Sequence, residues 1–130
     1  MILLDSNVLI HYLKGIEPLT SRVQAAPPSE TAIPAIVAYE LEYGTLKARN
    51  PRRRAMLSHV LAHLDEVPFD AAAARAAAQI RLELEKTGET IGPLDLLIAG
   101  TAVSRGAVLV TNNTAEFGRV RSLRVQDWSR

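Results

Sequence analysis

An α/β domain with a mainly parallel sheet covered by helices is the fold class that this 130-residue sequence predicts. Three observations lead there. Short apolar runs of strand length, such as Ile2-Leu3-Leu4 and Ala107 to Val110, alternate along the chain with longer segments of helical periodicity. Gly, Pro and Asn punctuate the junctions between them. A hydrophobic content of 48% over this length supports one core without staples, so a single domain over residues 1–130 is expected. The alternation implies βαβ units, whose strands run parallel.

The elements follow in order. The opening run ends on Asp5, and apolar residues resume with helical spacing at Val8, Leu9, Tyr12 and Leu13. Ser6 or Asn7 is the expected cap of that helix, which Gly15 and Pro18 end. A short helix is expected over Leu19 to Ala25, and a short strand at Thr31-Ala32-Ile33 before Pro34. Pro34 suits a first helical turn, where its missing N–H is no loss, and that helix should reach about Arg49. Asn50-Pro51 breaks the chain, and a helix starting at Arg52-Arg53-Arg54 carries Met56, Leu57, Val60, Leu61 and Leu64 on one face.

Asp65 to Phe69 reads as an extended segment at a sheet edge, because Pro68 cannot donate to a ladder. Asp70 caps an alanine-rich helix that should run from Ala71 to Leu84 and close at Gly88. Gly92-Pro93 starts a helix that is apolar almost all round, hence buried, with Asp95 in its first turn. Gly106 stops it, Ala107 to Val110 is a strand, Thr111-Asn112-Asn113 is a polar turn, and Leu123-Arg124-Val125 is a last short strand.

Composition excludes several function classes. Without cysteine there are no disulfides and no thiolate sites, so any metal must take oxygen or imidazole ligands. Fifteen basic and fourteen acidic residues leave a net charge of +1, which neither advertises nor excludes a polyanionic partner. The first apolar run has no basic residues ahead of it and is interrupted by Asp5, so it is neither a signal peptide nor a membrane span; a cytoplasmic protein is expected. Neither a Walker glycine loop nor GxGxxG occurs.

Three carboxylates stand in apolar surroundings. Asp5 falls at the carboxyl end of a strand, where open α/β sheets form their ligand crevices, although capping the next helix would also explain it. Glu40 has Ile36, Val37, Tyr43 and Gly44 as helical neighbours, whereas Glu42 lies on the more polar side. A glutamate whose stem packs while its head reaches water is the competing explanation for Glu40. Asp95 is favoured by the helix dipole, but burying its charge unpaired would cost several kcal/mol. Convergence of the three calls for a counter-charge, and an oxygen-only ligand set suits Mg²⁺ or Mn²⁺.

The remaining features are weaker. His11, His59 and His63 lie away from these motifs; His59 and His63 are an i, i+4 pair that could formally chelate a metal but reads more simply as exposed helix surface. Arg49 with Arg52, Arg53 and Arg54 could meet RNA phosphates or be a solvated helix start. Ser6 beside Asp5 lacks the histidine and elbow motif of a hydrolase nucleophile.

Taken in order and spacing, the motifs resemble the PIN-domain ribonucleases, specifically the VapC-type toxins of type II toxin–antitoxin pairs. The segments that carry the resemblance are Leu4-Asp5-Ser6-Asn7-Val8-Leu9-Ile10, Tyr39-Glu40-Leu41-Glu42-Tyr43-Gly44, Gly92 to Ala99, Leu109 to Asn113 with Glu116-Phe117, and Val125-Gln126-Asp127-Trp128. The resemblance implies a three-layer α/β/α fold with a roughly five-stranded sheet. It implies that Asp5, Glu40 and Asp95 hold Mg²⁺ or Mn²⁺ for hydrolysis of RNA phosphodiesters, with Asn7 and Thr111 orienting ligands or phosphate. Family members commonly carry a fourth acid at the position of Asn113; here Glu116 is the candidate to compensate. A homodimer and a cognate antitoxin are the implied partners. Two other readings compete. One is a catalytically silent RNA- or protein-binding module of the same fold. The other is a receiver-like domain with Asp5 as nucleophile, disfavoured by Asn7 and by the lack of Lys beyond residue 86.

Overall fold

The computed structural model describes residues Met1–Arg130. Five strands form one parallel sheet in the order β3-β2-β1-β4-β5. These are β1 (Ile2–Leu4), β2 (Thr31–Pro34), β3 (Asp65–Val67), β4 (Val108–Val110) and β5 (Arg124–Gln126). The helices are α1 (Ser6–Leu13), α2 (Leu19–Ala25), α3 (Ala35–Ala48), α4 (Pro51–His63), α5 (Ala71–Thr87), α6 (Pro93–Ser104) and α7 (Thr114–Phe117).

Connectivity decides the layers. From β1 through β2 to β3 the chain moves one way across the sheet; it then returns past β1 to β4 and moves outward to β5. Right-handed crossovers in opposite directions put α1 to α4 on one face and α5 to α7 on the other, giving a three-layer α/β/α fold. The helix contacts agree: α1 meets α2, α3 and α4, while α5 packs on α6. The core lies between these layers, with Leu3, Leu4, Ile33, Leu109 and Val110 fully or almost fully buried from the strands and Val8, Leu9, Val37, Leu57 and Ile98 from the helices.

Local chemistry sets the helix ends. Asn50 accepts the N–H groups of Arg52 and Arg53 at the start of α4, and Asp70 accepts that of Ala73 at the start of α5. Gly88, at φ 69°, closes α5 three residues later than its apolar pattern suggests. The cap of α1 is Asp5, whose Oδ1 accepts the Ser6 N–H, and neither Ser6 nor Asn7; this is the capping role that the sequence also offered for Asp5. The first strand ends at Leu4, as its apolar run Ile2-Leu3-Leu4 indicates, and the carboxylate that follows it occupies the capping position. The last strand is displaced by one residue from its expected place, to Arg124–Gln126, and a 3₁₀ turn at Pro28–Glu30 and the one-turn helix α7 are additional.

The α5–α6 seam is unusually close. A Cβ on Gly100 would stand 2.6 Å from the Ala77 Cβ and 2.7 Å from the Ala73 carbonyl oxygen. Only glycine at this position lets the two backbones approach so nearly. The alanine run of α5 therefore serves as the flat surface on which α6 rests.

Candidate active site

The strand order reverses between β1 and β4, and in such sheets the crevice forms beyond the strands' carboxyl ends at that reversal. Asp5 follows β1 and Thr111 follows β4, so both stand at this point. The Asp5 N–H donates to the Val110 carbonyl at 3.0 Å, extending the ladder by one residue and fixing the aspartate backbone. The residue is 4% exposed. Oδ1 accepts the Ser6 N–H at 2.8 Å, and Oδ2 accepts the Thr111 hydroxyl at 2.7 Å. The buried Thr111 oxygen accepts in turn the Asn113 N–H at 3.0 Å. Burial raises the Asp5 pKa, and the hydrogen bonds from Thr111 and Ser6 offset part of that rise.

Two helices bring the other acids to the same end. Glu40, half-buried on α3, has a pKa raised by burial and then by the charge of Asp5. Its Oε1 is buried without a hydrogen-bond partner, a costly condition for a carboxylate oxygen. Asp95 lies in the first turn of α6, where Gly92 leaves it room: a Cβ at Gly92 would stand 3.3 Å from its Oδ2. The Asp95 pKa is pushed up to about 6 by burial, the Asp5 charge, a hydrogen bond and charge from Glu116, and the Glu40 charge. Glu42 is exposed, on the opposite side of α3.

Glu116 enters from α7, and its Oε2 accepts the Asn113 side-chain amide at 3.2 Å. Asn113 thus links Thr111 through its backbone to Glu116 through its side chain. No ion pair reaches Asp5, Glu40, Asp95 or Glu116; the chain's salt bridges are Arg81–Glu85, Arg105–Asp70 and Arg130–Asp127. Four carboxylates therefore face one another without a protein cation. They influence each other's protonation, yet no three His, Cys, Asp or Glu side chains stand close enough to enclose a metal ion.

A groove of about 340 Å³ opens beside Glu40, lined by Ser6, Asn7, Lys14 and Arg53 over a floor that includes Leu41 and Met56. Asn7 is exposed there. Of the four arginines singled out in the sequence, Arg53 lines the groove, while Arg49, Arg52 and Arg54 are exposed and outside its lining. Lys14 was not anticipated. Neither was His11, whose Nδ1 lies 2.9 Å from the Asn112 amide nitrogen and ties α1 to the turn carrying Thr111 and Asn113. The expectation that His11 sits apart from the motifs is therefore corrected. The two residues are 101 positions apart, and no local pattern joins them.

Comparison with known proteins agrees with this architecture. The PIN domain family model matches residues 2–123. The chain is 40% identical to the Shigella flexneri protein named tRNA(fMet)-specific endonuclease VapC, over 98% of this chain and 97% of that one. Among solved structures, the DNA-bound VapBC of Salmonella typhimurium superposes with a TM-score of 0.91 at 38% identity, covering 98% of this chain and 97% of that chain. The VapBC2 of Rickettsia felis bound to a promoter DNA fragment gives 0.90 at 32% identity, covering 98% and 99%. The conjunction of parallel sheet, switch-point acids and matches along nearly the whole length places the chain in the PIN-domain family, among its VapC members.

Proposed function

We propose that the chain is the ribonuclease toxin of a toxin–antitoxin pair, acting in the cytoplasm and hydrolysing RNA phosphodiesters with Mg²⁺ or Mn²⁺. The observation that carries this reading is a set of four carboxylates at the sheet's switch point with no protein cation to neutralise them. An oxygen-only donor set, the orphaned Glu40 Oε1 and the raised Asp95 pKa all fit a hard divalent cation. Asp5, Asp95 and Glu40 would hold it, with Glu116 in place of the acid that Asn113 lacks. When bound, such an ion lowers the pKa of a water ligand and offsets charge on the pentacoordinate phosphorane-like transition state.

The chain's own residues supply the rest. Thr111 and Ser6 hold Asp5 in one orientation, so the site is built on a fixed oxygen. Glu40, which would hold the ion through one oxygen, can accept with the other the proton lost by the attacking water and pass it to the departing oxygen as the P–O bond breaks. Asn113 positions Glu116, and Asn7 can donate to a phosphate oxygen at the groove entrance. Lys14 and Arg53 supply positive charge along the path of an RNA backbone; Arg49, Arg52 and Arg54 extend it outward.

The partners belong to the same proposal. The names of the solved relatives make a VapB-type antitoxin the expected inhibitor, and a segment placing a cationic side chain among the acids would silence the site. Tyr39, Tyr43 and Leu46, at 58%, 58% and 54% exposure, form an apolar stripe along α3 that a homodimer would bury. Incubating the purified chain with transfer RNA and Mg²⁺, Mn²⁺ or EDTA tests the activity. Cleavage with metal that stops in EDTA and in Asp95→Asn is expected. RNA binding without cleavage under every metal condition would instead identify the silent module of the same fold.

A further inference from the structure

We propose that His59 and His63 form a second metal site, separate from the carboxylates, for an imidazole-preferring divalent ion such as Zn²⁺. Both lie on α4 one turn apart, so their side chains share a face. The ring centroids are 4.4 Å apart with planes tilted by 44°, so the two imidazoles lie side by side.

The hydrogen bonding selects the ligating form. The His63 Nδ1 lies 2.7 Å from the His59 carbonyl oxygen. A carbonyl can only accept, so Nδ1 carries the hydrogen, and in the neutral ring the Nε2 lone pair is free. A ring that donates one nitrogen to a carbonyl while offering the other is the arrangement found in metal-bound histidines. His63 is also the last residue of α4, where the unpaired carbonyl ends of the helix favour a cation.

The cleft beside the pair has an uncharged lining. The pair borders a cleft of about 330 Å³ between α1, α2 and α4, and no Lys, Arg, Asp or Glu lines it. The three arginines of α4 lie at its opposite end. With two protein ligands, water completes the coordination, and the nitrogen ligands select Zn²⁺ over the Mg²⁺ suited to the carboxylates.

Both histidines are exposed, so substitutions there leave the core intact. The experiment is equilibrium dialysis of the full chain against Zn²⁺ with millimolar Mg²⁺ present, alongside side-chain ¹H–¹⁵N spectra of the histidines. One Zn²⁺ per chain is expected to be lost in both His59→Ala and His63→Ala and kept in His11→Ala, with ring-nitrogen shifts confined to His59 and His63. Binding that survives either substitution, or the absence of those shifts at millimolar Zn²⁺, overturns the proposal. Because the readout is binding at α4 rather than RNA cleavage, the outcome is independent of whether the carboxylates catalyse.

Discussion

Replacing Asp95 with Asn should stabilise the metal-free chain while removing its nuclease activity. Asp95 is an acid raised from 3.8 to about 6 by burial and by the neighbouring carboxylates, so the folded chain holds this proton more tightly than the unfolded chain does. Stability therefore falls as pH rises from about 4 to about 6, and the penalty is fully present above that window. The full difference corresponds to about 3 kcal/mol. Asp95 retains solvent access, and screening reduces this to about 1 kcal/mol. For a chain of this size that is roughly 3–5 °C in Tm. Thermal denaturation in EDTA at pH 7.5 should show Asp95→Asn melting higher than wild type by this amount, and the gap should close at pH 4. A variant that melts lower at pH 7.5, or a gap that persists in acid, would refute the picture of a self-repelling carboxylate cluster. Adding Mg²⁺ should reverse the order, because only the wild type gains from binding it.

Two further outcomes follow from the same geometry. Gly100→Ala places a methyl group inside contact distance of Ala77 and the Ala73 carbonyl, and should cost about 2–3 kcal/mol, visible as a lower urea midpoint with an unchanged m-value. Thr111→Val keeps the side-chain shape but removes the hydroxyl donated to Asp5, so the Asp5 pKa should rise further and the acidic limb of the pH–rate profile for RNA cleavage should move to higher pH.

Much of the framework is legible in the residues because it rests on local chemistry. Asn50, Asp70, Gly88 and Gly92-Pro93 mark helix ends through caps and backbone geometry that depend on a few adjacent positions. The acids singled out for apolar surroundings, Asp5, Glu40 and Asp95, are the three carboxyls whose pKa is raised, since burial drives both the sequence pattern and the shift. What escaped lies in long-range pairing. The Thr111–Asp5 hydrogen bond spans 106 positions and the Asn112–His11 contact 101, and neither leaves a periodic trace. Helix α7 escaped because four residues are too few to show an amphipathic repeat. The bond from Asn113 to Glu116 does have a local signal, the three-residue spacing typical of a helix start, and it gives Asn113 a use that comparison with an acid at that position obscures.

The extra ladder bond from the Asp5 amide to Val110 has a dynamic consequence. That amide directly follows the central strand, which is paired on both sides, and should exchange with solvent only when the sheet opens between β1 and β4. Glu116, by contrast, rides on a single helical turn that can open locally. The cluster is thus stiff on one flank and compliant on the other. Any adjustment to a ligand's size should appear in hydrogen exchange around residues 113–118, while residues 3–5 stay silent.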